Sequence, residues 1–155
     1  MLYEFEVDRR SVAAATEVTL AWCALFVVFL AFQALSKWFL VLQPRKEADS
    51  RSLGRRLASV KYNGKGGKLG LTGDRTVGNM MEQSLLFLPL LWLHALLVNG
   101  ETAAFWGWAW LASRAPYPAL FFKGVPWLFI STFGGYACLV GLMLPLRGAA
   151  GALVQ

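Results

Sequence analysis

The chain has 155 residues, of which 57% are hydrophobic and 15% charged, with a mean hydropathy of +0.49. That length bounds it at one domain, and so apolar a composition excludes an ordinary soluble globular protein and points to a membrane protein. The net charge of +6 is unevenly placed: positions 45 to 75 hold nine Lys and Arg against three Asp and Glu, whereas the rest of the chain holds six of each.

In chain order, the opening MLYEFEVDRR sets Glu4, Glu6 and Asp8 before Arg9 and Arg10. This is the reverse of a basic leader segment, so no cleavage is expected. A first span is expected over about 16–42: no charge falls between Glu17 and Lys37, and Pro44 ends the apolar run. It exceeds the roughly 20 residues needed to cross hydrocarbon. Cys23 and Cys138 lie far apart in apolar runs, without metal-like spacing, and read as buried unpaired thiols.

The basic loop 43–74 is the one long polar connection. Leu53, Leu57 and Val60 alternate there with Arg55, Arg56 and Lys61, a pattern suited to an anionic headgroup surface. Its NGKGGKLG stretch lacks the Ser or Thr that a phosphate-binding loop needs after the lysine. Nucleotide binding is therefore not expected.

A second span, about 75–98, should begin near Thr72 to Arg75 and bend at Pro89. His94 lies deep within it and reads as a buried, hydrogen-bonded imidazole, because no second His or Cys cluster accompanies it. No metal is expected. After the Asn99–Gly100 turn comes a third span, about 102–122, whose Phe105, Trp106, Trp108 and Trp110 fit an aromatic belt better than a nucleic-acid platform. Pro116 and Pro118 should break or kink it beside Arg114. Lys123 and Gly124 then turn the chain into a fourth span, about 125–146, where Gly134 and Gly135 permit close packing. Four spans put both termini on one side, and the positive-inside rule sets loop 43–74 on the cytoplasmic or equivalent side.

Function is sought in the stretch RTVGNMMEQSLLFLP, residues 75–89. At 3.6 residues per turn, Arg75, Asn79, Glu82 and Gln83 share one side of a helix, and intramembrane ionisable groups ordinarily mark a site. The plainer alternative is a salt bridge that only joins helices. Counting at about 1.5 Å per residue from the 99–101 turn sets Glu82 roughly 28 Å and Arg114 roughly 20 Å away, with Tyr117 between. A buried Glu82–Arg114 ion pair is expected from this.

The same residues carry a resemblance to the MAPEG superfamily, the membrane-associated proteins in eicosanoid and glutathione metabolism, over all four spans. RTVGNMMEQSLLFLP is similar to the family pattern of Arg, three residues, Asn, two residues, Glu, and especially to bacterial-type members that continue Glu-Gln and Phe-Leu-Pro. SRAPYP matches the third-helix pattern of Arg, two residues, Tyr, at Arg114 and Tyr117. The resemblance implies an all-α membrane protein, a four-transmembrane-helix bundle assembling as a homotrimer, with glutathione or lipid bound between neighbouring subunits. It assigns substrate binding to Arg75, Asn79, Glu82, Gln83, Arg114 and Tyr117, with Arg75 on a glutathione carboxylate. Two departures stand out. Residues 125–133, VPWLFISTF, lack the fourth-helix Arg that activates the thiol in catalytic members, and Phe121 replaces a second tyrosine.

Three functions follow as candidates. One is a glutathione S-transferase or peroxidase acting on lipophilic electrophiles. Another is a non-catalytic lipid-binding or accessory subunit of a larger membrane complex. A small proton-coupled transporter using Glu17 or Glu82 is the least supported, because Glu82 belongs to a matched polar set. Membrane lipids are the expected surroundings, nucleic acid is not an expected partner, and no catalytic residue is singled out.

Overall fold

The computed structural model describes residues 8–43, 53–62 and 66–152. Six α-helices follow in order: α1 (Arg9–Leu42), α2 (Leu53–Tyr62), α3 (Gly67–Leu97), α4 (Gly100–Arg114), α5 (Tyr117–Lys123) and α6 (Trp127–Ala152). Three of them, α1, α3 and α6, are long and apolar enough to cross a membrane. The region expected as a span over 102–122, broken or kinked at its prolines, is two helices, α4 and α5. They part at Ala115–Pro116, where Pro116 has no amide hydrogen to continue the ladder.

α1 and α6 each pack on both α3 and α4, while α5 leans on α3 and α6. Met80, Phe87, Leu91, Trp110 and Leu142 are buried at the centre. Leu20, Val27, Leu85, Ile130, Phe133 and Leu144 stand exposed around the outside. Such an outward apolar surface would aggregate in water but is what hydrocarbon accepts. Within lipid the helices are held by close packing rather than by expulsion of water, which is why small residues line their crossings. A Cβ on Gly107 of α4 would lie 2.6 Å from Val18 Cγ1 and 3.0 Å from Leu91 Cδ1.

Glycine also moves the start of α3. The helix begins at Gly67, ahead of the expected Thr72–Arg75, and α2 occupies part of the region expected as a loop. A glycine-rich stretch reads as a connection in sequence, yet here it brings α3 against α1. A Cβ on Gly73 would sit 3.2 Å from Gln33 Cα, and one on Gly70 would sit 3.4 Å from Leu40 Cδ1. Asp74 fastens the same crossing, accepting from Gln33 Nε2 at 2.7 Å and pairing with Lys37 Nζ at 2.5 Å.

The α3–α4 turn is capped by Asn99, whose Oδ1 accepts from the Thr102 amide at 2.9 Å. α1 is capped by Asp8, which accepts from the Arg10 and Ser11 amides at 3.1 Å each and from Ser11 Oγ at 2.8 Å. These bonds, the Ser11 hydroxyl foremost, favour the carboxylate and hold the Asp8 carboxyl below its usual range.

Two expectations about packing change. Cys138 is buried but Cys23 is exposed on α1. The aromatic run of α4 does not form a single belt. Phe105 and Trp108 face outward, Trp106 fills the space over Gly141, and Trp110 is fully buried, stacked on Phe87 at 3.9 Å between ring centroids and 6° between planes.

Gly107→Val should lower stability in mixed-micelle unfolding by about 1 to 3 kcal/mol through overpacking. Gly78→Ala, where a Cβ would meet nothing within 4 Å, should be neutral or stabilising by up to about 1 kcal/mol. The Asp8 cap contributes above the ordinary carboxylate pKa and is lost as pH falls through its lowered folded value. The protection of the Ser11 amide, measured against the intrinsic exchange rate at each pH, should therefore fall at acid pH in the native chain, whereas Asp8→Asn should flatten that dependence.

Candidate functional site

The polar stretch of α3 divides by angle. At about 100° per residue, and taking Arg75 as zero, Glu82 falls at about −20°, Asn79 at about 40° and Gln83 at about 80°. Exposure follows that order: Arg75 and Glu82 are exposed, Asn79 is half-buried and Gln83 is buried. One edge of the stripe therefore faces outward while the other turns into the bundle.

The inward edge meets Arg114, the last residue of α4, which is only 1% exposed. Its Nη1 donates to Asn79 Oδ1 at 3.0 Å and its Nε to Ser113 Oγ at 3.3 Å, while Nη2 donates to the Ser131 carbonyl of α6. The Ser131 hydroxyl donates back across the same crossing to the Ser113 carbonyl at 2.6 Å. The guanidinium lies over Gly135, where any Cβ would overlap it. Its Cζ stands 5.8 Å from the Trp110 ring centre and 6.0 Å from that of Tyr117. Tyr117, also buried, stacks on Phe121 at 5.9 Å.

This corrects the expected Glu82–Arg114 ion pair. Among the described residues the only salt bridge joins Lys37 to Asp74, and Glu82 lies on the outward edge. The depth estimate did bring α3 and α4 together at the right level, but the angular offset gives Arg114 the neighbouring Asn79. Three of the five guanidinium donors are satisfied, all by neutral oxygens.

Gln83 lies on the core side with both amide atoms buried and unpartnered among the described residues, as is Trp110 Nε1. These groups need bound water or another polar molecule to be satisfied. Ser113, Ser131 and Gly135 complete the Arg114 cradle; the two serines were not singled out from sequence, and Gly135 was read only as room for close helix packing. A Ser or Gly in an apolar span carries no chemical signature, although Ser113 adjoins Arg114 and Gly135 could have been read as room for a large side chain.

His94 is a structural imidazole. Nδ1 lies 2.8 Å from the Leu142 carbonyl and Nε2 lies 3.0 Å from Thr102 Oγ1. Since a carbonyl only accepts, Nδ1 is the nitrogen that donates to Leu142. Among the described residues no three His, Cys, Asp or Glu side chains are grouped to hold a metal ion.

The sequence profile of the MAPEG family matches residues 19–146, a range that contains both the α3 stripe and the Arg114–Tyr117 turn. The chain belongs to the MAPEG family. It is an integral membrane protein with an all-helical MAPEG-like chain. No curated protein matches it closely.

The cradle predicts a clear hierarchy of variants. Arg114→Leu, which leaves the Asn79 and Ser131 acceptors facing an apolar side chain, should cost about 1 to 3 kcal/mol. Gly135→Ala should cost a similar amount by displacing the guanidinium, about 1 to 3 kcal/mol. Glu82→Gln should leave the helix packing of the single chain intact. Detergent melting curves and far-ultraviolet dichroism check all three.

Proposed function

We propose that this MAPEG protein binds glutathione along the Arg75–Asn79–Glu82 edge, with a neighbouring copy in a homotrimer closing the outward side. In this reading α4 and α5 together serve as the third of four transmembrane elements, and the basic region 43–74 faces the cytoplasm or its equivalent, opposite both termini. The continuation Glu82-Gln83 and Phe87-Leu88-Pro89 supports a kinship with bacterial-type members.

The observation that carries the proposal is an exposed pair of opposite charges on a helix long and apolar enough to cross a membrane. Arg75 and Glu82 have no ion-pair partner within the chain among the described residues, and they sit beside an Arg114–Asn79 unit already fixed by the fold. A tripeptide with two carboxylates and an amine matches such a surface. The Arg75 fork takes a carboxylate, Glu82 takes the ammonium, and the half-buried Asn79 orients an amide. Gln83 and Tyr117 form the inner wall, and Arg114 fixes its position from behind.

Binding and thiol activation separate in this arrangement. A thiol becomes a thiolate near neutral pH when a cation stands at the sulfur. Residues 125–133 supply none, Arg114 is turned into its cradle, and Lys123 Nζ sits over the Trp127 ring at 5.2 Å. Conjugation to a lipophilic electrophile, in which the thiolate forms a C–S bond as a leaving group departs with the electron pair of the bond it breaks, would then be slow. The engagement of Arg114 by the Ser131 carbonyl favours a second reading, a non-catalytic lipid-binding or accessory subunit that keeps the MAPEG bundle.

Calorimetric titration with glutathione, paired with ultraviolet thiolate absorbance, tests the proposal. Binding with little thiolate signal is expected. Arg75→Leu should weaken that binding by about 1.5 to 3 kcal/mol, roughly ten- to hundredfold in Kd. A strong thiolate signal would assign activation to Lys123 or a neighbouring copy, and no binding would reject the glutathione site in favour of the accessory subunit.

A further inference from the structure

A second feature lies away from the α3 stripe. Between α1, α3 and α5 runs an open groove of about 480 Å³, walled by Phe32, Leu69, Pro118, Ala119 and Phe122, with Lys123 also in its lining. The wall is almost wholly apolar. Thr72, which also lines it, turns its hydroxyl onto the Lys68 carbonyl at 2.8 Å and so presents no free donor.

Two cations stand at this groove. Lys68, one residue into α3, holds Nζ 4.9 Å from the centre of the Phe122 ring. Lys123 ends α5, with Nζ over Trp127. Neither pairs with a carboxylate among the described residues, and the nearby Asp74 is engaged by Lys37 and Gln33. Both lysines sit at helix ends. The groove thus joins a dry slot, passing Phe32 in the body of α1, to a pair of ammonium groups on flexible stems where a helix start meets a helix finish. The basic helix α2, which packs on α1, carries Arg55 and Arg56.

We propose that this groove is a binding site for an anionic phospholipid, with one acyl chain along Phe32, Leu69, Pro118 and Phe122 and the headgroup phosphate between Lys68 and Lys123. The match is of shape and charge together. An acyl chain gains packing in an apolar slot that another polar molecule would leave unsatisfied. A phosphate neutralises two ammonium groups that lack acidic partners, at a level where basic side chains reach a headgroup. A zwitterionic lipid offers the same chain but brings its own cation to the lysines. The site is built within one chain from α1, α3 and α5 and uses none of Arg75, Asn79 or Glu82, so it stands or falls independently of the glutathione reading.

The test offers phosphatidylglycerol and phosphatidylcholine in equal amounts in bilayer nanodiscs, then reads the lipid retained on the full chain after detergent transfer by native mass spectrometry. Phosphatidylglycerol should be retained in preference, at about one per chain. Each lysine near a charged surface is worth about fivefold, so Lys68→Gln with Lys123→Gln should reduce retention roughly thirtyfold, whereas Lys68→Arg with Lys123→Arg should preserve it. Ala119→Trp fills the slot while leaving both lysines and should abolish retention; Ala119 is exposed in the chain, so the added ring extends into the groove rather than into the core. Ala119→Leu gives a milder version should the first variant elute as aggregate. Glycerophosphoglycerol, the headgroup without chains, should not displace the bound lipid. Equal retention of the two lipids would overturn the proposal, as would phosphatidylglycerol retention that survives both groove-filling variants or is competed away by the chain-free headgroup.

Discussion

A guanidinium only 1% exposed and without a carboxylate partner among the described residues must be met by other oxygens, and Arg114 obtains them from three helices. Asn79 comes from α3, Ser113 from its own α4 and the Ser131 carbonyl from α6. The cation also ends α4, where the unpaired carbonyls of a helix C-terminus favour positive charge. Much of the local architecture follows from this one requirement. Gly135 leaves the volume the group occupies, the break at Ala115–Pro116 ends α4 at the arginine, and the reciprocal Ser131–Ser113 bond holds α6 at the right distance. A neutral cradle takes three of the five donors without cancelling the charge. The field of Arg114 therefore remains available to whatever approaches Asn79 from outside.

The outward edge of α3 has the opposite character. Arg75 and Glu82 are exposed on a helix whose neighbouring positions, Met81, Leu85 and Leu86, are exposed and apolar. Each charge left in hydrocarbon would cost about 2.5 to 3.5 kcal/mol on insertion scales. The fold accepts this on one narrow strip and nowhere else along the described part of α3 beyond Glu82. In the proposed function that strip is half of a polar site, with a neighbouring chain and a ligand supplying the other half. The apolar groove lined by α1, α3 and α5 uses none of these residues, so the two proposals place a polar ligand and a phospholipid on separate surfaces of one small chain.

Much of this was legible in the residues. Spacing alone put Arg75, Asn79, Glu82 and Gln83 on one side of a helix and brought α3 and α4 together near Arg114, and the paired prolines announced the break after Ala115. What spacing does not carry is the sign of small angular differences. Only about 60° separates Glu82 from Asn79 on the helix, yet that turn exchanges an ion pair for a hydrogen bond to an amide. Charge complementarity in sequence favoured the wrong partner, because it takes no account of which edge the third helix covers. Trp110 was hidden by its company: three other aromatic residues nearby suggested a belt, while the 3.9 Å stack on Phe87 depends on a contact between helices. Glycine misled in the region 66–73 for a related reason. A residue that weakens an isolated helix is favoured where two helices must approach closely, and nothing local in the sequence announces the second helix.

The central claim is that the Arg75–Glu82 edge is completed by another copy of the chain. Leu86 lies at about 20° on the same helical projection, in the middle of the stripe, and its side chain is exposed. A photo-activatable phenylalanine analogue at that position, irradiated in native membranes, reports directly what covers the edge without altering any charged residue. Chain-to-chain adducts, with their yield changed by glutathione, are the expected result. Adducts to lipid alone, with no second chain captured from position 86 while the protein remains folded, would contradict it.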